Sequence, residues 1–168
     1  FVAFDMYMLQ RRDAEKDYTW EELSWAKARY ASMRPEEKIQ LQQNIIAGLP
    51  GSEDSYSLDD LNAAIAKYDH IDTKTLQQHL VDFLNEIIPV AEQAGIKMAI
   101  HPDDPPYSLL GLPKVTCTAR QVQQLFDAVP SPNNGLCFCT GSFGVRPDNN
   151  LPKMVEQFGE RIHFVHLR

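Results

Sequence analysis

The sequence lacks the features that mark several common classes of protein. Its 168 residues carry 16 basic and 23 acidic side chains, which gives a formal charge of −7. This acidic excess disfavours a nucleic acid or an anionic membrane as partner, because both select basic surfaces. No apolar run approaches the roughly 20 residues that a membrane-spanning helix needs. We therefore expect neither nucleic-acid binding nor insertion into a membrane.

Cysteines and targeting signals are sparse as well. The chain has three cysteines, an odd number without the spacing of a disulfide framework, and this fits a reducing compartment. Its first five residues, FVAFD, lack the basic segment that opens a secretory signal peptide, and no methionine starts the chain. We expect a cytoplasmic location, and a chain that is one piece of a longer protein.

Residues 1–71 show helical signals and no strand signal. Apolar residues recur at helical spacing, and Thr19 followed by Glu22 matches a capping box at a helix start. A turn is predicted at residues 49–52, which contain proline and glycine. In a chain that otherwise alternates helices and strands, such a helical stretch is typical of an insertion.

From Asp72 onward, the pattern alternates between amphipathic helices and short apolar strands. The three predicted strands end at or near His101, Cys139 and His166, and residues 141–150 are predicted to be a loop. The order helix, strand, helix, strand, helix, strand predicts parallel strands joined by helical crossovers.

A closed barrel explains this pattern better than an open sheet. Three polar side chains at consecutive strand ends can converge across the mouth of a barrel. In an open sheet the strand ends lie along a line. The predicted fold class is α/β, with part of a (β/α)8 TIM barrel present. We predict a single domain, in which residues 1–71 are a helical insertion and residues 72–168 are consecutive βα units.

The three strand ends form a candidate metal site. Taken singly, His101, Cys139 and His166 each have an ordinary structural interpretation, since a lone cysteine is usually a small buried hydrophobe. As a set, two imidazoles and a thiolate suit a borderline cation such as Zn, Fe(II), Co or Mn. A fourth ligand is needed, preferably a carboxylate. Asp103 or Asp104 could supply it, but a residue outside this chain is favoured.

Several segments resemble mannonate dehydratases. They are residues 44–51 (NIIAGLPG), 98–106 (MAIHPDDPP), 111–113 (GLP), 139–146 (CTGSFGVR) and 164–168 (FVHLR). The resemblance runs from end to end of the chain, and HPDDPP and CTGS are its most specific motifs.

The resemblance implies a TIM barrel related to the xylose isomerase group. It also implies dehydration of a sugar acid, D-mannonate, to 2-keto-3-deoxy-D-gluconate in hexuronate (glucuronate) breakdown. A Mn(II) or Fe(II) centre would be held by His101, Cys139 and His166. The family's fourth ligand lies in an Asp-His-Gly-His motif that would follow Arg168. The catalytic proton-transfer residues are expected there too.

Metal-assisted β-elimination fits both the residues and the resemblance. A base takes the C2 proton and an acid helps the C3 hydroxyl leave as water. Asp103 and Arg168 are the predicted substrate contacts, and Arg168 can pair with a carboxylate. Two alternatives are a different metal-dependent barrel enzyme, such as a sugar isomerase, and a non-catalytic interaction module. The choice between Mn and Fe is open, and so is homo-oligomer formation.

Overall fold

The described residues form two compact units. A computed structural model describes residues 1–48 and 57–168, so the turn predicted at residues 49–52 lies outside the described residues. The first unit consists of Phe1–His70 with Leu109–Leu112, and the second of Ile71–Ser108 with Pro113–Arg168.

The first unit is helical where it is described, as the periodicity predicts. Its elements are α1 (Val2–Phe4), a π-helical segment (Asp5–Leu9), a 3-10 turn (Ala14–Asp17), α2 (Trp20–Ser32), α3 (Pro35–Ala47) and α4 (Leu58–Ala66). The predicted capping box is present: the Glu22 N–H donates to Thr19 Oγ1 at 3.3 Å, and the Thr19 N–H donates to the Glu22 carboxylate at 2.8 Å. These bonds satisfy backbone donors that the first helical turn leaves free. The role of this unit as a barrel insertion stays a prediction.

A small apolar core and one buried carboxylate hold the first unit together. The core cluster consists of Phe4, Leu9, Ile45, Ile46, Leu61 and Leu110. Asp5 is fully buried, and it accepts hydrogen bonds from Arg11 at 2.8 Å and from the Tyr18 hydroxyl at 2.7 Å. Burial and the bond to Asp5 raise the pKa of Tyr18 well above its usual value. The buried charge is therefore paired and hydrogen-bonded, as a low-dielectric interior requires.

The second unit contains a parallel sheet of three strands in the order β1-β2-β3. Its elements are α5 (Thr73–Gln93), β1 (Met98–Ile100), α6 (Ala119–Ala128), β2 (Asn134–Cys139), α7 (Thr140–Gly144), α8 (Leu151–Phe158), a 3-10 turn (Gly159–Arg161) and β3 (Ile162–His166). Both strand pairings are parallel, which confirms the predicted succession of helices and parallel strands. The described residues of this unit are thus α/β with a partial parallel sheet.

Strand β2 separates an apolar layer from the side that carries the cysteines. Leu136 and Phe138 belong to a buried cluster completed by Val122, Phe126, Phe143, Met154 and Phe158 from the helices. Because side chains alternate along a strand, Cys137 and Cys139 face the opposite side of the sheet. The strand is buried along its whole length. Packing against helices on one side therefore fixes which face Cys139 occupies.

The end of α5 explains where β1 begins. Gly95 adopts a left-handed φ of 65°, and the N–H of Ile96 donates back to the carbonyl of Ala91 at 2.8 Å. This Schellman motif terminates the helix and uses Ile96, so pairing with β2 begins at Met98. Across the described ranges, neither α5 nor any other helix has the length and apolar character to cross a bilayer.

The prediction of a loop over residues 141–150 is wrong at its start, because the chain enters helix α7 directly after β2. Gly141 and Gly144 suggest a turn in the sequence. In the structure, the sulfur of Cys139 accepts the backbone N–H of Ser142 at 3.5 Å and so caps the helix. Cysteine is not among the side chains that usually cap helices. The sequence pattern therefore gave no warning of this helix.

Candidate metal centre

The three strands bring the predicted ligands to one end of the sheet. Cys139 is paired in register with His166, and His101 follows the last residue of β1. The ligand atoms of the three side chains all lie within 4.8 Å of one another. His166 Nδ1 is 3.4 Å from His101 Nε2 and 3.5 Å from Cys139 Sγ. We refer to these three residues as the His-Cys-His cluster.

Two of the three ligand-atom separations within the cluster suit one shared ion. Ligands bound tetrahedrally, at about 2.1 Å for nitrogen and about 2.3 Å for sulfur, lie roughly 3.4 Å apart for two nitrogens and roughly 3.6 Å apart for nitrogen and sulfur. The observed separations of 3.4 Å and 3.5 Å are close to these values. Neutral imidazoles and a thiolate also match the chemistry of a transition metal. Metal binding itself stays a prediction.

A hydrogen bond orients His101 for ligation. Its Nδ1 lies 2.7 Å from the carbonyl oxygen of Pro102. Because a carbonyl only accepts, Nδ1 carries the hydrogen, and in the neutral ring Nε2 presents its lone pair to the cluster. Metal-binding histidines typically use such a bond to fix the tautomer and the ring orientation.

The Cys139 thiol is stabilised as a thiolate despite its burial. The residue is fully buried, and burial alone would raise its pKa. Hydrogen bonds from the Ser142 hydroxyl at 3.3 Å and the Ser142 N–H at 3.5 Å, with another from Arg168, outweigh that effect. They lower the pKa of Cys139 to about 6. A metal arriving at neutral pH would therefore meet a sulfur that is already ionised.

The pKa values of the other two cysteines, Cys137 and Cys117, are raised and not lowered. Burial raises the pKa of Cys137. Burial, together with the nearby Asp103 carboxylate, raises the pKa of Cys117 to about 12. Both are buried free thiols, as is typical of cysteines that serve packing.

Asp103, a predicted substrate contact, holds a loop in the structure. Its Oδ2 accepts the backbone N–H groups of Val115 and Thr116, both at 2.8 Å, and the Thr116 hydroxyl at 3.1 Å. Asp104 instead pairs with Arg168. Among the residues that the structure describes, the His-Cys-His cluster includes no carboxylate. A substrate contact by Asp103 and a fourth ligand from outside this chain both stay predictions.

Replacing Asp103 by alanine should destabilise the protein. Two N–H groups and one hydroxyl, on residues that are at most 8 % exposed, would lose a charged acceptor. The expected cost is about 2 kcal/mol of unfolding free energy, measurable as a lower midpoint of chemical denaturation. Asp104→Ala, which removes a neighbouring exposed carboxylate, should change stability far less. An unchanged midpoint in Asp103→Ala, with a raised KM, would mean that Asp103 serves the substrate and not the loop.

Arg168, the other predicted substrate contact, lies beside the cluster. Its guanidinium donates to the Asp104 carboxylate and, at 3.1 Å, to the Ser142 hydroxyl. The bond to Asp104 raises the pKa of Arg168 further, so the side chain is a permanent cation. It is 45 % exposed, which leaves room for an anionic group. Substrate binding by Arg168 stays a prediction.

Ser142 is the residue of this site that sequence reasoning missed. It is fully buried, and it contacts both Cys139 and Arg168. The signal that points to it is the spacing of a helix cap, which accepts an N–H two or three residues later, and Ser142 follows Cys139 by three. Using that signal required knowing that a helix begins at Thr140.

The fold and the cluster define the class of protein before any comparison. It is an α/β protein that gathers two imidazoles and a thiol, side chains able to bind a metal, at the carboxyl ends of parallel strands, where such folds place their sites. The family model for D-mannonate dehydratase (UxuA) matches residues 6–168. The chain therefore belongs to the D-mannonate dehydratase family, and the resemblance seen in the motifs is confirmed.

Individual relatives agree with this assignment. The chain is 53% identical over 168 residues to a mannonate dehydratase of Saccharophagus degradans, covering all of this chain and 42% of the relative. It is 49% identical to a mannonate dehydratase of Marinomonas sp., covering 43% of that protein. The crystal structure of mannonate dehydratase from Streptococcus suis serotype2 is 39% identical, with a TM-score of 0.60 over 62% of this chain and 31% of that one. The chain thus spans less than half the length of these curated relatives.

Proposed function

We propose that the intact protein dehydrates D-mannonate to 2-keto-3-deoxy-D-gluconate by metal-assisted β-elimination, in hexuronate catabolism. The observation that carries this proposal is the family match over residues 6–168, which includes all three members of the His-Cys-His cluster. The reaction removes the C2 proton and the C3 hydroxyl of the sugar acid as water. A bound Mn(II) or Fe(II) would supply a Lewis acid that stabilises the charge left when the C2 proton departs.

In this proposal the chain's own residues hold the ion and attract the substrate. His101 and His166 would bind the ion as neutral imidazoles and Cys139 as a thiolate, so these three ligands would contribute one negative charge against the two positive charges of the ion. A carboxylate as the fourth ligand would balance the remaining positive charge, so attraction of an anionic sugar acid falls mainly to Arg168. Arg168 adds a second cation beside the cluster and can form paired hydrogen bonds with the substrate carboxylate. Asp103 remains the other proposed contact.

The proposal places this chain within a larger (β/α)8 barrel. Parallel strands joined by helices, and the likeness to the Streptococcus suis structure, support this architecture. The outer strands β1 and β3 each have only β2 as neighbour within the described sheet. Further strands would pair with these edges in a closed barrel. The resemblance implies that the fourth ligand and the proton-transfer residues lie outside this chain, and the proposal includes them. A cytoplasmic location follows the expectation from composition.

A metal-reconstitution assay tests the proposal. The intact protein is stripped with a chelator, reloaded with Mn(II) or Fe(II), and assayed for keto-acid formation from D-mannonate. We expect dehydration only in the reloaded protein. Ketose substrates are tested in parallel, because isomerisation without keto-acid formation would identify a sugar isomerase instead. Full dehydration by the stripped protein would contradict the role of the metal.

A further inference from the structure

We propose that Ser142 positions the sulfur of Cys139 as a metal ligand, and that Arg168 and Asp104 orient the Ser142 hydroxyl for that task. The inference rests on the proposed function, because it assumes that a metal binds the His-Cys-His cluster. Ser142 would not touch the metal or the substrate. It is a positioning residue that acts through Cys139.

The first support is the pair of bonds from one buried residue to one sulfur. Ser142 is 0% exposed, and it donates both its hydroxyl, at 3.3 Å, and its backbone N–H, at 3.5 Å, to Cys139 Sγ. A buried hydroxyl needs a hydrogen-bond partner, and here that partner is the sulfur. The two Ser142 donors approach the sulfur from one side and so restrict its position. The remaining lone pairs of the sulfur are left for a metal ion.

The second support is the direction in which the Ser142 hydroxyl must point. A hydroxyl has one hydrogen to donate and lone pairs that accept. Arg168 Nη2 donates to Ser142 Oγ at 3.1 Å, and a guanidinium cannot accept in return. The single hydrogen of Ser142 is therefore left for Cys139. A cationic donor behind the hydroxyl also polarises it and strengthens its bond to the sulfur.

The third support is the way the chain holds Arg168 in place. The guanidinium of Arg168 donates to the Asp104 carboxylate. The backbone N–H of Arg168 donates to Thr140 Oγ1 at 3.2 Å. A Cβ at Gly141 would lie 2.6 Å from Arg168 Nε and 2.7 Å from its Cγ, so the close approach requires glycine. The last residue of β2 and the first three of α7 thus have distinct roles. Cys139 is the proposed ligand, Thr140 accepts from the Arg168 N–H, Gly141 leaves space for the Arg168 side chain, and Ser142 donates to the sulfur.

Helix capping alone accounts for only part of this arrangement. In α7 the sulfur of Cys139 caps the backbone N–H of Ser142, and that bond needs no hydroxyl. The hydroxyl bond and its link to Arg168 are additional. A purely structural role for Ser142 would change stability when the hydroxyl is lost but would leave the metal–sulfur bond unaltered. The two roles can therefore be separated by spectroscopy.

The experiment uses the intact protein, stripped of metal and titrated with Co(II). It measures the dissociation constant and the sulfur-to-cobalt charge-transfer absorption. Ser142→Ala removes the hydroxyl and keeps the backbone donor, and we expect roughly tenfold weaker Co(II) binding or more, with a shifted charge-transfer band. The matched control is Thr118→Ala, which removes a capping hydroxyl at the start of α6 in the same unit. Its Co(II) affinity and absorption should equal those of the wild type.

The outcomes separate this inference from the proposed function. If the wild type binds no Co(II), both fail. If the wild type binds Co(II) and Ser142→Ala binds it equally well with the same absorption, only the positioning role of Ser142 is overturned. Should Ser142→Ala not fold, Arg168→Met, at an exposed position, removes the donor behind the hydroxyl and should weaken binding in the same direction. Unchanged affinity and absorption in Arg168→Met would then overturn the inference.

Discussion

Replacing Cys139 by alanine in the intact protein is expected to abolish transition-metal binding and, with it, the dehydration of D-mannonate. The sulfur is the anionic member of the cluster and lies 3.5 Å from His166 Nδ1, so its loss leaves two imidazoles without a charged ligand. Losing a hydrogen-bond partner of a ligand typically costs 10- to 100-fold in affinity or activity, and losing the ligand itself should cost at least about 100-fold. Metal content per protein and the initial rate of keto-acid formation measure the two effects.

The matched control for this prediction is Cys137→Ala. Cys137 is a buried free thiol on the same strand, two residues before Cys139 and on the same face of the sheet. Its replacement should lower stability by roughly 1 kcal/mol, as a small core truncation does, and leave metal content unchanged. Equal loss of metal in both variants would show that the strand, and not the thiolate, was damaged. A Cys139→Ala protein that keeps its metal and its activity would remove Cys139 from the ligand set.

Features with local physical causes were predictable from the sequence. A capping box depends on residues three positions apart, and the one predicted for Thr19 with Glu22 forms at α2. The same pattern forms a box at α6, between Thr118 and Gln121. The first strand was predicted to end at or near His101 and ends one residue before it, at Ile100; Pro102, just beyond, cannot donate to a ladder. The predicted gathering of three strand ends needed only the rule that the carboxyl ends of parallel strands share one edge.

Features that depend on contacts distant in sequence could not be predicted. Asp103 accepts hydrogen bonds from residues twelve and thirteen positions later, and no pattern in the sequence marks that pairing. The role of Ser142 depends on the arrival of Arg168 from another strand. Helix α7 was missed because its cap is a cysteine and its short sequence contains two glycines. In the first two cases a tertiary contact supplements the local signal, and in the third the local signal is a cap that helices rarely use.

Gly135 shows how such a distant contact constrains a residue, and Gly135→Ala is expected to cost about 3 kcal/mol of unfolding free energy. The β2–β3 pairing is irregular between Leu136 and Cys137. Beside this irregularity, the His163 ring lies over Gly135, with its Nδ1 2.8 Å from the carbonyl of Met98 in β1. A Cβ on Gly135 would lie 2.2 Å from that Nδ1 and 2.6 Å from the carbonyl oxygen of Arg161. The His163 ring could move away only by losing its hydrogen bond to the Met98 carbonyl. The carbonyl oxygen of Arg161 is part of the backbone and cannot move independently.

Denaturation midpoints of matched glycine variants test this argument. Gly159→Ala is the control, because a Cβ there meets nothing within 4 Å and its φ of −49° suits any residue. It should leave stability unchanged or raise it by up to roughly 1 kcal/mol. Adding His163→Ala to Gly135→Ala removes the clash with the ring but not the one with Arg161, so stability should recover only in part. If Gly135→Ala unfolds at the same midpoint as Gly159→Ala, the His163 ring does not pack over this strand as the structure describes.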